Sequence, residues 1–287
     1  MKPSPRPLRS TGLRDVAHPE SAVNRLLRQT GAPITARPSW WTSWAQAFGH
    51  DPLLLCPDDH RALAPLATQR RHGHTKVQLL GGESSDQARL PALDHNSART
   101  LADLINTTLA EHPRWHVQLH HLPPGDPVTQ RLAEILPHHQ WSLPPDRASP
   151  FIALRPGTGI EDYLSRSWRK THRRTAREFE RAGGVVRHTR EADEISQLLP
   201  NLSQIRRARD HRCARVSDLD TVPGYRFWAS IILDHARRGE AEVATATVDG
   251  ELLAYDVILL DRDIDRLWDG RVSAPGEALS LGRHLQD

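Results

Sequence analysis

The sequence predicts a mixed α/β (α+β) chain of two domains, on three observations. At 287 residues it is too long for one typical domain and suits two of roughly 140 residues each. Runs with strand alternation are interleaved with runs of helical period along the whole chain. The segment "AEVATATVDGELLAYDVILL" is a hairpin by composition: two β-rich runs flank Val248, Asp249, Gly250 and Glu251, and Asp-Gly supplies the positive φ values of a tight turn.

In chain order, residues 1–20 are rich in Pro, Ser and Arg and can bury no face, so a disordered arm is expected there. Order is expected from "SAVNRLL". "DPLLLCPDDHRALAPLATQRR" reads as two strands around a two-to-four-residue turn at Pro57 to His60, and "TKVQLLGG" as another strand. Leu101, Leu104, Ile105 and Leu109 mark a helix, "WHVQLHHL" a strand and "VTQRLAEIL" a helix. The prolines of "PHHQWSLPPDRASP" mark a linker, which divides the chain into domains at 21–148 and 149–287.

Beyond the linker, "FIALRP" reads as a strand. "GTGIEDYLSRSWRKTHRRTAREFERAGG" reads as one long helix with Leu164, Trp168, Thr175 and Phe179 in a stripe, stopped by Gly183 and Gly184. "VVRHT" is a short strand. Helices over about 195–209 and 225–238 precede the hairpin, "DIDRLWDG" is a third antiparallel strand, and "GEALSLGRHLQ" begins a helix.

The net charge of +3 is too small for a dedicated nucleic-acid binder, but the charge is focal. Residues 161–190 hold nine basic against four acidic side chains, whereas residues from 191 onward hold 12 against 18. On that long helix, whose basic residues run from Arg166 to Arg181, a solvated face and a surface for an anionic donor both stay open. Cys56 and Cys213 stand alone, as reduced thiols do, and the paired histidines (72 and 74, 120 and 121, 138 and 139) lack a second ligand pair at recognised spacing, so no metal is expected. No run approaches the roughly 18 apolar residues of a membrane span and no signal peptide is evident, which makes the cytoplasm the expected compartment.

The loop "SAPGEALSLGRHL" sits between a strand and a helix. Its amides from Gly276 onward would open a helix N-terminus, which favours phosphate, although such starts are common.

The order of these motifs resembles the GNAT acyltransferase superfamily, in the branch of the CelD and BioF2-like acetyltransferases, related to the FemAB peptidyltransferases. The first half carries the resemblance in "PSWWTSWAQAF", "ALAPLATQRR" and "VQLLGGESSD", the second in "YLSRSWRKTHRRTAREFERAGG", "LSQIRRARDH", "DGELLAYDVILL" and "WDGRVSAPGEAL". The resemblance implies two tandem GNAT-like domains, each a mixed, mostly antiparallel sheet flanked by helices. It implies acyl transfer from acetyl-CoA or another acyl-CoA to an amine on a small molecule or a cell-envelope precursor; a tRNA donor and a catalytically degenerate binding protein remain as alternatives. Carried onto this chain, Gly276, Glu277, Ala278 and Leu279 would present amides to the donor's diphosphate, and Ala254, Tyr255, Asp256 and Val257 the strand along its pantetheine. Asp269 would hold or deprotonate the amine, and Tyr255 would protonate the leaving thiolate. Asp269 ahead of Gly270 also suits a turn cap, Tyr255 a packing residue, and Arg209 with His211 a charged helix surface. The family pattern runs on past "GRHLQD", so the resemblance also implies that 151–287 is an incomplete catalytic half.

Overall fold

A computed structural model of the chain describes residues 8–9, 21–112, 114–136, 152–153, 155 and 157–283. It divides into two compact units, Met1–Ser149 and Pro150–Asp287. The linker expected near 137–150 lies outside the described residues, as does the expected arm apart from Leu8–Arg9, which forms a short strand.

Unit 1 begins with that strand, β1 (Leu8–Arg9), followed by helices α1 (Ala22–Gln29) and α2 (Pro38–Phe48). Ser21 starts α1 by accepting from the amide of Asn24, and Gly49, at φ 63°, ends α2 in the left-handed region. A meander follows, β2 (Asp51–Leu55), β3 (Ala64–Arg71) and β4 (His74–Leu79), then α3 (His95–Ala110), β5 (Trp115–Gln118) and α4 (Pro127–Ile135). The sheet order is β1-β2-β3-β4-β5, antiparallel except for the parallel β4/β5 pair that α3 connects. The hairpin expected at Pro57 to His60 forms, but Leu55 pairs with Ala64, so its loop is longer than the two to four residues expected. Ala62 bridges to Ala92 and Leu63 donates to the Pro91 carbonyl, so the loop leaves the ladder to join a second segment. Leu66, Val77 and Leu79 of the sheet pack with Leu101, Ile105 and Leu132 of the helices. Trp40 and Trp41 are fully buried, and the Trp40 indole donates to the Gly81 carbonyl at 3.2 Å.

Unit 2 comprises α5 (Arg166–Arg181), β6 (Gly184–Thr189), α6 (Ala192–Arg212), α7 (Val222–Ala236), β7 (Ala241–Val248), β8 (Glu251–Asp261), β9 (Ile264–Val272) and α8 (Ala274–Ala278). Its sheet runs β6-β7-β8-β9, antiparallel throughout. The succession of strand, two helices, three-stranded meander and helix repeats that of unit 1, and in both units the first strand pairs with the first strand of the meander. The tight turn between β7 and β8 is the expected one, with Asp249 at φ 51° and Gly250 at φ 82°.

Three expectations change. The long helix starts at Arg166 rather than near Gly157, because Ser165 caps it through the Trp168 amide and Gly157 takes φ 79°. Its buried stripe is His172, Thr175 and Phe179, with Leu164 and Trp168 only half-buried. Of "FIALRP", the described residues Ile152, Ala153 and Arg155 lie in no strand.

Candidate active site

Strands β8 and β9 carry the residues expected to act. On the face of the sheet toward α6 and α7, Tyr255 pairs across with Arg271, and Val257 with Asp269. Asp269 is 5% exposed and surrounded by donors. Its Oδ2 accepts from the Tyr255 hydroxyl at 2.9 Å, the Trp228 indole at 2.8 Å and an Arg206 Nη at 3.3 Å, and its Oδ1 accepts from an Arg271 Nη at 3.1 Å. Arg271 also reaches Asp210 Oδ1 at 3.3 Å, and Ser217 donates to Asp210 Oδ2 at 2.8 Å. Two aspartates and two arginines, drawn from α6 and β9, thus neutralise one another where unpaired charge would be costly.

This network bears on the roles expected of Tyr255 and Asp269. Tyr255 is fully buried, its proton is committed to Asp269, and burial followed by the charge of Asp269 pushes its pKa well above the ordinary tyrosine value. A phenol so held is a poor acid for a leaving thiolate. Asp269 accepts four hydrogen bonds, three of them on one oxygen, and these tie β9 to β8, α6 and α7. Arg271 is held cationic: burial opposes its charge, and Asp269 and Asp210 more than restore it.

The residues expected along the pantetheine lie in the middle of the sheet. Ala254, Asp256 and Val257 lie on β8, which is hydrogen-bonded to β7 on one side and β9 on the other, so its backbone is consumed by the ladder. All three are buried, Ala254 in the cluster with Phe179 and Leu281. Among the described residues the sheet has two edge strands, β6 and β9, and β9 is the one that carries Asp269 and Arg271. Val257 faces Asp269 while Ile258 faces Leu267, so Trp268 is an extra residue, a bulge that bends β9 beside the Asp269 network.

Beyond the end of β9 lies a cleft of about 470 Å³, lined by Arg209, Cys213, Arg271, Val272, Glu277 and Ser280 among others. The head of α8 reaches it differently from expectation. Ser273 caps the helix, its hydroxyl accepting from the Gly276 amide at 3.3 Å and its carbonyl from the Glu277 amide at 2.9 Å. Gly276 is buried, and a Cβ there would lie 2.8 Å from the Leu253 carbonyl oxygen and from Val272 Cγ1. Those two amides are therefore satisfied within the loop, and close packing requires glycine at position 276. Leu279 packs with the Phe179 cluster and Ala278 is exposed. The helix itself stops after five residues, followed by Ser280 at φ 58°. Glu277 instead turns its carboxylate to Arg209 and Arg212, each 2.9 Å from the same oxygen. His211 pairs with Asp220 at 2.7 Å. The sequence offered Arg209 as surface charge; its spacing of three from Arg212 on one helix turn was the available signal. Among the described residues no cluster of His, Cys, Asp and Glu could hold a metal ion, and no helix is long and apolar enough to cross a membrane.

The stretch that holds this edge strand, the cleft and the short helix falls within residues 166–286, which match a family model described as an acetyltransferase (GNAT) domain. Over those residues the chain is similar to a GNAT domain. Among solved structures, FemX resembles nearly the whole chain, with a TM-score of 0.61 at 10% identity, covering 93% of this chain and 82% of FemX. That likeness shows a shared fold that extends beyond the GNAT domain into unit 1. A conserved protein of unknown function from Bacteroides thetaiotaomicron gives a TM-score of 0.49 at 10% identity, covering 86% of this chain and 74% of its own. The C-terminal domain (DUF2156) of an Agrobacterium fabrum protein named as a lysylphosphatidylglycerol synthetase gives 0.44 at 13% identity, covering 93% and 76%. No curated protein matches the chain by sequence.

Proposed function

We propose that the protein is an N-acyltransferase that moves an acyl group, in the first instance acetyl, from acyl-CoA to an amine on a small molecule or cell-envelope precursor in the cytoplasm. The observation that carries this reading is the bulged free edge of β9 leading into the cleft, within the matched GNAT domain. An edge strand offers amides and carbonyls to an extended pantetheine as it would to another strand. In the reaction the neutral amine attacks the thioester carbonyl, the carbon–nitrogen bond forms, the carbon–sulfur bond breaks, and the thiolate leaves to take up a proton. Backbone N–H groups of β9 stabilise the developing oxyanion, and the network around Asp269 fixes their position.

A second reading has aminoacyl-tRNA as the donor, and α5 favours it. Between Arg166 and Arg181 this helix bears seven basic and two acidic side chains. Arg174 pairs with Glu178 at 2.9 Å, an exposed pair too weak to mask the face.

Thiol release from acetyl-CoA, measured against a panel of amines, tests the first reading. Turnover with at least one amine supports it. Absence of both turnover and CoA binding, combined with tRNA binding that weakens steeply with salt, would replace it with the second.

A further inference from the structure

We propose that Arg209 and Arg212, on the last turn of α6, form a phosphate-binding fork that the chain's own Glu277 occupies as an internal anion and vacates when a diphosphate arrives. The site itself stands on geometry alone; naming the diphosphate as that of the acyl donor rests on the acyl-CoA reading.

Three observations converge. Arg209 Nε and an Arg212 Nη approach one oxygen, Glu277 Oε1, at 2.9 Å each, from a helix to a loop 65 and more residues later in the chain. Two guanidiniums meeting on a single oxygen reproduce the arrangement that arginines adopt around a phosphate, and most of their N–H donors are left over for further oxygens. The fork opens onto the cleft of about 470 Å³, which is also lined by Arg215 and Arg271. Within that cleft Arg271 is already balanced by Asp269 and Asp210, so Glu277 is the carboxylate that balances the rim. Once Glu277 leaves, Arg209 and Arg215 line the cleft with Arg212 beside them where Glu277 had been, and these positive charges also offset the negative end of the α6 dipole.

The latch is built to open. Both arginine side chains are 35% exposed and Glu277 is 45% exposed, so water screens the two ion pairs and each is weak. A phosphate group brings more charge and more acceptor oxygens than one carboxylate. Glu277 and the ligand compete for the same donors and repel each other, so binding must break both pairs. This also reconciles the short α8 with the chemistry: guanidiniums, not amides at the helix head, meet the anion.

Calorimetry on the full chain with inorganic pyrophosphate, ADP and CoA tests the proposal, using the native protein, Glu277→Gln, and Arg209→Ala combined with Arg212→Ala. Removing the competing charge should tighten pyrophosphate binding about tenfold, and removing the fork should weaken it by at least about tenfold, since charge-assisted contacts are being exchanged. Arg237→Ala, at an exposed pair with Asp234, serves as the control and should change nothing. CoA binding equally to all variants would overturn the fork and leave the acyl-CoA reading standing. Pyrophosphate binding that follows the arginines, with CoA and ADP binding alike, would keep the fork and remove the support it lends to acyl-CoA. Failure of both native protein and Glu277→Gln to bind pyrophosphate would overturn the fork outright.

Discussion

The Trp228 indole and the Asp269 carboxylate, 41 residues apart, meet in the interior of unit 2 at 2.8 Å. That contact ties α7 to β9, and the Tyr255 and Arg206 bonds to the same oxygen tie in β8 and α6. One carboxylate thus sets the position of the bulged edge strand relative to both helices.

Asp269→Ala should destabilise the protein by about 3 kcal/mol or more, because Arg206 and Arg271 lose a buried counter-charge. Tyr255→Phe deletes one hydrogen bond and leaves the ring in place, so it should cost about 1–2 kcal/mol. Urea unfolding measures both. If Tyr255 holds position and does not donate its proton, Tyr255→Phe will retain thiol release within about tenfold of native, as loss of one positioning bond implies. A loss nearer the 10²–10⁴-fold typical of a missing general acid, in a protein of native stability, would return Tyr255 to catalysis.

Why this network was only half legible follows from where its information resides. The β7–β8 hairpin was readable because Asp249 and Gly250 must take positive φ, a local demand that composition records. The meander and the helices of unit 2 were readable because each has its own period. The place of β8 in the middle of the sheet was not, because it depends on both its neighbours at once. The Trp268 bulge is invisible for the same reason: it is a mismatch between two registers. The mutual bond of Tyr255 and Asp269, which bears on what each can do, spans strands whose register composition leaves open.

The two cysteines should differ sharply in reactivity. Cys56 is buried, and burial, then Asp59 and Asp58, push its thiol up to about 11. Its sulfur lies 3.2 Å from His60 Nδ1, an arrangement that resembles a nucleophilic pair, yet the thiolate is disfavoured there. Cys213 is exposed at the cleft. At pH 8 a colorimetric disulfide reagent should titrate Cys213 promptly and Cys56 only on unfolding. Rapid modification in Cys213→Ser would contradict the burial of Cys56.

Gly276 and Gly250 separate two reasons for glycine. A Cβ on Gly276 would press on the Leu253 carbonyl and Val272, so Gly276→Ala should cost about 1–3 kcal/mol by overpacking, and weaker ligand binding in that variant would report the fold rather than a lost amide. A Cβ on Gly250 meets nothing within 4 Å, but the residue sits at φ +82°, so Gly250→Ala should cost about 1–2 kcal/mol from backbone strain alone. Asn at position 250 tolerates that φ better and should recover part of the loss, whereas Asn at position 276 should recover none. Denaturant midpoints of the four variants check the distinction.

Acid should find a weak point at the join between α7 and β7. Burial of Glu240 pushes its carboxyl up, but the hydrogen bonds from His235 and Arg238, with their charges, outweigh it and hold the pKa at about 2. A depressed carboxyl stabilises the fold fully above its unfolded value, near 4.3, and the contribution disappears as pH falls through the folded value. The window is therefore roughly pH 4.5 down to 2. Because Glu240 is part-exposed, screening reduces its contribution to about 1 kcal/mol. Thermal unfolding followed from pH 6 to pH 2.5 should show Glu240→Gln starting lower than native at pH 6 and converging with it toward pH 2.5. Parallel pH profiles for the two proteins would mean that the His235–Glu240 pair carries no net stability.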